Sequence, residues 1–283
     1  MGILSGLESF GLGGLANADI FAAEKKEESE KKELKEEAPK VTESDLVFQK
    51  SYKCPCCDKE FRVKAVKIGK AKLIGTDKDL RPKYEIVDSL KYDVILCSHC
   101  GYAALSRFFQ YLTSAQAKLI TINISHSFKN VETKGDIYTY DEAIERYKLA
   151  LANCLVKRAK NSEKAYLCLK LAWVIRGKGE SLDKSDPEYE AKKKDCLAQE
   201  EELLHNALDG FLAARQSEAF PMCGMDESTV DYLIAVISMR FEQYDVAAKL
   251  VSSIITSVSA NKRMKEKARG LKDEIVAALK KKK

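Results

Sequence analysis

Two C-x-x-C pairs, Cys54/Cys57 and Cys97/Cys100, constrain this chain more than any other feature. A C-x-x-C segment closed into a tight turn aims two thiolates at one point. Two such turns supply the four ligands of a tetrahedral zinc site, with Zn–S distances of about 2.3 Å. Four thiolates leave no open coordination position, so the expected role is structural and not catalytic. Gly101, directly after the second pair, suits such a turn because it takes positive φ without steric cost. Between the pairs the chain reads as strands. Phe61, Val63 and Ala65 alternate toward an apolar partner at Ile68, and Leu73-Ile74 follow. Tyr84-Glu85-Ile86-Val87 and Tyr92 through Leu96 then lead into Cys97. Strand, cysteine turn, strands, cysteine turn is the order of a zinc ribbon. Cys56 and His99 sit inside the turns as alternative ligands, at less favourable spacing.

Two rival chemistries use the same residues. C-P-x-C is also the pattern of a redox pair, here Cys54 and Cys57, with an activated thiolate, but such pairs open a helix, and Asp58 to Val63 reads as a strand. Nucleic-acid binding is the other. Residues 50–103 hold twelve Lys or Arg and seven acids, and two net negative charges on a four-thiolate zinc site reduce that surplus to about +3. Lys64, Lys67, Lys70 and Lys72 would form the basic edge, with Phe61 or Tyr84 for stacking. Lysines on strand edges more commonly guard against aggregation.

Composition narrows the rest. The nine cysteines are unevenly spaced, and residues 1–22 contain no Lys or Arg, so they lack the basic start of a secretory signal. A reducing cytoplasmic setting and a metal site are expected, not a disulfide framework. Net charge is +5, yet residues 261–283 alone hold ten Lys or Arg against three acids, so the chain is not generally basic. Leu4, Leu7, Phe10, Leu12 and Leu15 are interrupted by glycines, and no run approaches the ~20 apolar residues of a membrane span. Residues 24–45 are almost without apolar side chains, too polar to offset chain entropy by burial. Residues 1–45 therefore read as a disordered or helical charged segment, 46–110 as the zinc-ribbon-like domain, and 111–283 as a helical domain.

The chain is expected to turn helical after Tyr102, with Ala103-Ala104-Leu105, Phe108-Phe109 and Tyr111-Leu112 on one amphipathic helix. Residues 121–126 are ambiguous between strand and helix. Beyond them lies an internal similarity of small, large and small residues at i, i+4 and i+7, as in the second helix of a tetratricopeptide repeat. Ala143, Tyr147 and Ala150 fit it, as do Ala207, Phe211 and Ala214, and less well Ala247, Val251 and Ile254. First helices are expected at 163–176 and 228–241, with Asp226 or Ser228 capping the latter, and a basic last helix from Lys262 to Leu279. The copies lie 64 and 40 residues apart, so the repeats are degenerate. Cys154, Cys168, Cys196 and Cys223 share no ligand spacing and read as buried thiols; His126 and His205 have no ligand partners in view.

The combined pattern resembles an uncharacterised bacterial family, domain of unknown function 2225. C-P-x-C is followed by Phe61, by Asp77-Lys78-Asp79-Leu80 with Pro82 and Tyr84, then by Tyr92-x-Val94 and C-x-x-C-G-Y-A. The resemblance runs from about Leu46 to the C-terminal helix. It implies a zinc-ribbon-like start followed by a tetratricopeptide-like region, with no assigned activity. Asp77 and Asp79 match its pattern, and loop capping or salt bridges are the roles read for them.

The expected fold class is thus α+β: a small zinc-ribbon-like β module followed by an all-α tetratricopeptide-like array. The sequence carries no P-loop, no Gly-rich dinucleotide turn and no H-E-x-x-H. The expected function is a non-enzymatic cytoplasmic zinc protein, with Cys54, Cys57, Cys97 and Cys100 as ligands, whose helical array binds a protein or peptide partner. Nucleic-acid binding through the ribbon and the basic last helix is the alternative, and a thiol-redox enzyme a third.

Overall fold

Three separate two-stranded antiparallel sheets make up the β part of this computed structural model, which describes residues 41–130, 133 and 135–281. Most of the expected N-terminal charged segment lies outside the described residues. Strands β1 (Val47–Lys53) and β2 (Glu60–Val66) pair in unbroken register from Val47↔Val66 to Lys53↔Glu60. The loop closing this hairpin carries Cys54 and Cys57. Strands β3 (Leu73–Thr76) and β4 (Pro82–Tyr84) form a second, bulged hairpin. Strands β5 (Val94–Leu96) and β6 (Ala103–Leu105) form the third, whose loop carries Cys97 and Cys100.

Phe61 and Val63 are buried, as their alternation predicts, but Ile68 is 97% exposed. β2 ends at Val66, and Ile68 stands in the turn that Gly69 completes with φ of 72°. β4 stops at Tyr84. Tyr92 belongs to a single 3-10 turn capped by Asp88, which accepts from the Leu90 amide at 3.0 Å, so β5 starts two residues later than its apolar run. A larger departure concerns residues 103–112. Ala103–Leu105 is not the start of a helix but the closing strand of the second cysteine hairpin, with all three side chains buried. An apolar triplet covered on both sides has no strand-like alternation to betray it.

Seven α-helices follow among the described residues. They are α1 (Ser114–Ile120), α2 (Tyr140–Val156), α3 (Asn161–Glu180), α4 (Tyr189–Ser217), α5 (Glu227–Arg240), α6 (Tyr244–Thr256) and α7 (Lys262–Lys281). The ambiguous residues 121–126 continue α1 as a π-helical turn, Thr121–Ser125. Thr139 and Glu142 form a capping box at α2, and Asp226 caps α5 by accepting from the Thr229 amide at 2.8 Å. Successive helices pack pairwise: α2 on α3, α3 on α4, α5 on α6 and α6 on α7. All nine positions read from the internal similarity are at most 1% exposed, so the i, i+4, i+7 pattern marks the seams between helices. Where α3 and α4 cross, a Cβ on Gly210 would lie 2.8 Å from the Ala165 side chain, a backbone approach that only glycine permits.

Residues Glu43–Lys283 form one compact unit. Leu90, Val94, Ala103 and Leu105 share a core with the helices. The chain is α+β. No helix among the described residues is long and apolar enough to cross a membrane.

Candidate metal centre

The two cysteine turns are built alike. In each, the first cysteine's amide donates across the hairpin: Cys54 to Lys59 O at 3.0 Å, and Cys97 to Tyr102 O at 2.9 Å. In each, the residue after the second cysteine donates back to the first cysteine's carbonyl: Asp58 to Cys54 O at 2.9 Å, and Gly101 to Cys97 O at 3.0 Å. Those two residues also share left-handed backbone, with φ of 59° at Asp58 and 72° at Gly101. This turn leaves amide hydrogens facing sulfur, and the Cys56 amide donates to Cys54 Sγ at 3.4 Å. Gly101 is constrained twice, since a Cβ there would lie 2.6 Å from the Phe128 ring.

The turns face one another. Cys54 Sγ and Cys100 Sγ are 3.6 Å apart, Cys57 Sγ and Cys97 Sγ 3.7 Å apart, and all four sulfurs lie within 4.8 Å of one another. Four ligands about 2.3 Å from a central ion would be separated by about 3.8 Å, far from the ~2.05 Å of a disulfide. All nine cysteines are free thiols. Cys54, Cys97 and Cys100 are buried and Cys57 is half-buried. Hydrogen bonds from Cys100 and Cys54 hold the Cys97 thiol below the ordinary range. Its contacts with Cys54 and Cys97 push Cys100 well above it. A set this close can shed every proton only when a cation takes up the charge, which is the condition of a metal site. The cluster can hold a metal ion.

An aromatic group forms the floor beneath it. The Phe109 ring lies 4.9 Å from Tyr102, 5.9 Å from Phe61 and 6.0 Å from Tyr52, centroid to centroid. Tyr102 is wholly buried, its hydroxyl donating to Phe109 O at 3.0 Å. The helices hold the second turn in place: Ser125 Oγ donates to Cys100 O at 2.9 Å, and Asn153 Nδ2 of α2 to Gly101 O at 3.0 Å.

The alternative ligands lie outside the four-sulfur group. Cys56 Sγ turns toward α1, donating to Ala117 O at 3.8 Å, and the exposed His99 places Nε2 3.1 Å from Glu60 O. Neither turn opens a helix, because β2 follows the first and β6 the second. Of the expected basic edge, Lys67, Lys70 and Lys72 are exposed and Tyr84 is half-buried. Lys64 is buried, donating to Ile137 O at 3.1 Å, and Phe61 belongs to the aromatic floor. Among the scattered thiols, burial raises Cys154 to about 12 and both Cys168 and Cys223 to about 11. His126 contacts its own helix turn through Thr121 O, and His205 lies 3.3 Å from Asp209.

One cluster exceeds its sequence reading. Asp79 caps its loop, accepting from the Arg81 amide at 3.4 Å, and pairs with Arg176 Nη2 at 2.6 Å; it is also buried and accepts from Trp173 Nε1 at 2.9 Å. Arg176 also reaches Asp77 and the buried Glu200 of α4, which in turn pairs with Arg240 of α5 at 2.9 Å. Burial alone would lower the Arg176 guanidinium, but its bonds to Asp79 and the Glu200 charge more than offset that and raise it. The sequence signals were a charged tip between two short strands and the Asp77-Lys78-Asp79-Leu80 pattern itself.

No curated protein and no solved structure matches the chain. The sequence profile of one family, described as an uncharacterized protein conserved in bacteria (DUF2225), matches residues 47–275, from the first residue of β1 into α7 and across all four clustered cysteines. That span covers most of the chain, which therefore belongs to this family.

Proposed function

We propose that the protein is a non-enzymatic cytoplasmic scaffold in which a structural zinc ion locks two hairpins together, and whose helical array binds a protein or peptide partner. The observation that carries this reading is the set of four converging sulfurs, Cys54, Cys57, Cys97 and Cys100, over an aromatic floor. Four thiolates select zinc or another thiophilic ion over magnesium or calcium. With all four positions filled by protein, such an ion polarises no substrate and activates no water. The metal instead supplies folding energy to short strands that have little core of their own. Stacked helix pairs leave extended surfaces, which suits the array to a peptide-like partner.

Metal content per chain, measured with a free-thiol titration on protein purified without added zinc, tests this. About one zinc, with four thiols protected until a chelator removes it, is the expected result. Metal-free protein with Cys54 and Cys57 oxidised to a disulfide would replace the scaffold with a thiol-redox enzyme.

A second reading, nucleic-acid binding, has its support on α7, where Lys262, Arg263, Arg269 and Lys272 are all exposed. It requires RNA or DNA affinity that falls steeply between about 50 and 200 mM salt. Absence of binding at the low end removes it.

A further inference from the structure

The β3–β4 tip crosses the helices instead of pointing into solvent. Asp79 donors come from α3, as described above. Lys78 reaches Glu274 of α7 at 2.8 Å, and Arg81 pairs with Glu180 at the end of α3. Leu80, between them, holds φ of 67°, a left-handed backbone that costs a leucine free energy and persists only where surroundings enforce it.

Hollows flank the tip on both sides. One of about 620 Å³ is bordered by Leu80, Tyr84, Tyr166, Lys170, Trp173 and Leu233. The other, about 280 Å³, is bordered by Asp79, Arg176, Leu204, Val236, Ile237 and Arg240. Tyr166, Lys170, Trp173 and Arg176 recur at helical spacing on α3, as do Thr229, Leu233, Val236 and Arg240 on α5. The tip therefore lies across a groove that extends beyond it in both directions. The middle of that groove dictates its occupant: the buried Trp173 indole N–H requires an acceptor, and the half-buried Arg176 guanidinium, which also pairs with Asp77 and Glu200, has further donors for an acid. Asp79 meets that need from within the chain, and Leu80 beside it packs against the helical core.

We propose that this groove is the docking site for an extended segment of a partner protein presenting an acidic side chain followed by a leucine-like one, and that the β3–β4 tip is an internal copy which the partner displaces. The inference deepens the scaffold reading and rests on it for the existence of a partner. An internal competitor lowers apparent affinity by the fraction of molecules in which the groove is open, so weakening the tip tightens binding in trans.

Trp173 is the only tryptophan in the chain, so its emission reports the groove directly. The probe is a capped synthetic peptide of the tip, residues 76–84, titrated into full-length protein. In Asp79→Asn protein the emission shifts to the red, and the peptide binds at least tenfold tighter than to wild type and reverses the shift. The same peptide carrying Asp79→Asn fails to bind. Folded Asp79→Asn protein that binds the peptide no better than wild type overturns the proposal. So does dimerisation of the variant in place of peptide binding, which would make a second copy the occupant.

Should Asp79→Asn fail to fold, hydrogen exchange on wild type decides. The Leu80 amide donates to Asp77 O at 3.0 Å and the Asp77 amide to Arg81 O at 2.9 Å. Saturating peptide must speed exchange at both, and unchanged protection refutes displacement. Metal content of the same sample separates the two proposals. One ion per chain without binding in trans overturns the groove and leaves the scaffold standing. Binding in trans by a metal-free chain supports the groove and removes the zinc.

Discussion

The cysteine hairpins and the helical array reach order by opposite routes. β5 and β6 are three residues each, and β1 and β2 seven, in sheets of only two strands. Isolated hairpins of that size are marginal in water. Their order is concentrated in four sulfurs, one aromatic floor and a few bonds from α2 and the π-helical turn. The array spreads its order over many seams, with small and large residues alternating at positions such as Ala207, Phe211 and Ala214. A concentrated design fails at one atom, whereas a distributed one loses stability in increments.

Substitution should separate the two. Cys97→Ser removes a fully buried sulfur from the cluster. It should abolish stoichiometric metal binding and cost several kcal/mol, since binding energy in such sites is folding energy of about 10–16 kcal/mol in small zinc domains. Metal analysis with urea unfolding checks it, and full metal content in the variant would break the comparison. Phe211→Ala, at 0% exposure between α4 and its neighbours, should cost about 3–5 kcal/mol while leaving metal content at the wild-type value.

Proton activity should divide the regions as well. Metal thiolates must be deprotonated, so acid loosens the hairpins first, read as metal release before loss of helical signal. Alkali acts on the array. Burial raises Cys154 to about 12, so its folded state keeps a proton that the unfolded chain loses near pH 9. Its contribution is complete below about pH 9 and declines as pH rises toward 12. Cys154→Ala should flatten that alkaline decline in a stability-against-pH series, and an unchanged slope would place the sensitivity elsewhere.

The smallest effects compare the turns with each other. Gly101→Ala combines a strained φ with a clash against Phe128 and should cost about 1–3 kcal/mol. Asp58 has the same left-handed backbone without being glycine, so Asp58→Gly should be neutral or stabilise by up to about 1 kcal/mol. Thermal unfolding of the metal-loaded variants reads both, and equal costs would show that the turns are not equivalent in strain.

The two cysteine turns were legible because the geometry of each is local. Two residues between cysteines already determine the turn, and two turns with four thiols leave few arrangements. The repeat positions were legible because a helix writes its buried face at a period of 3.6. Ala103–Leu105 was misread since a triplet buried on both sides carries no period. Ile68 was misread because alternation does not announce where a strand ends. The contacts of Cys56 with Ala117 O and of His99 with Glu60 O, both from distant segments, had no signal in the sequence.

By itself, then, the sequence determined the two cysteine turns, the class of the fold and the helical seams, which rest on local motifs or on periodic contacts. Tertiary structure alone decided that Asp79 would meet Arg176, 97 residues away, and that a hairpin tip would lie across α3 and α5. Pairings of that kind are single events between distant charges, and they acquire energy only when folding removes both partners from water.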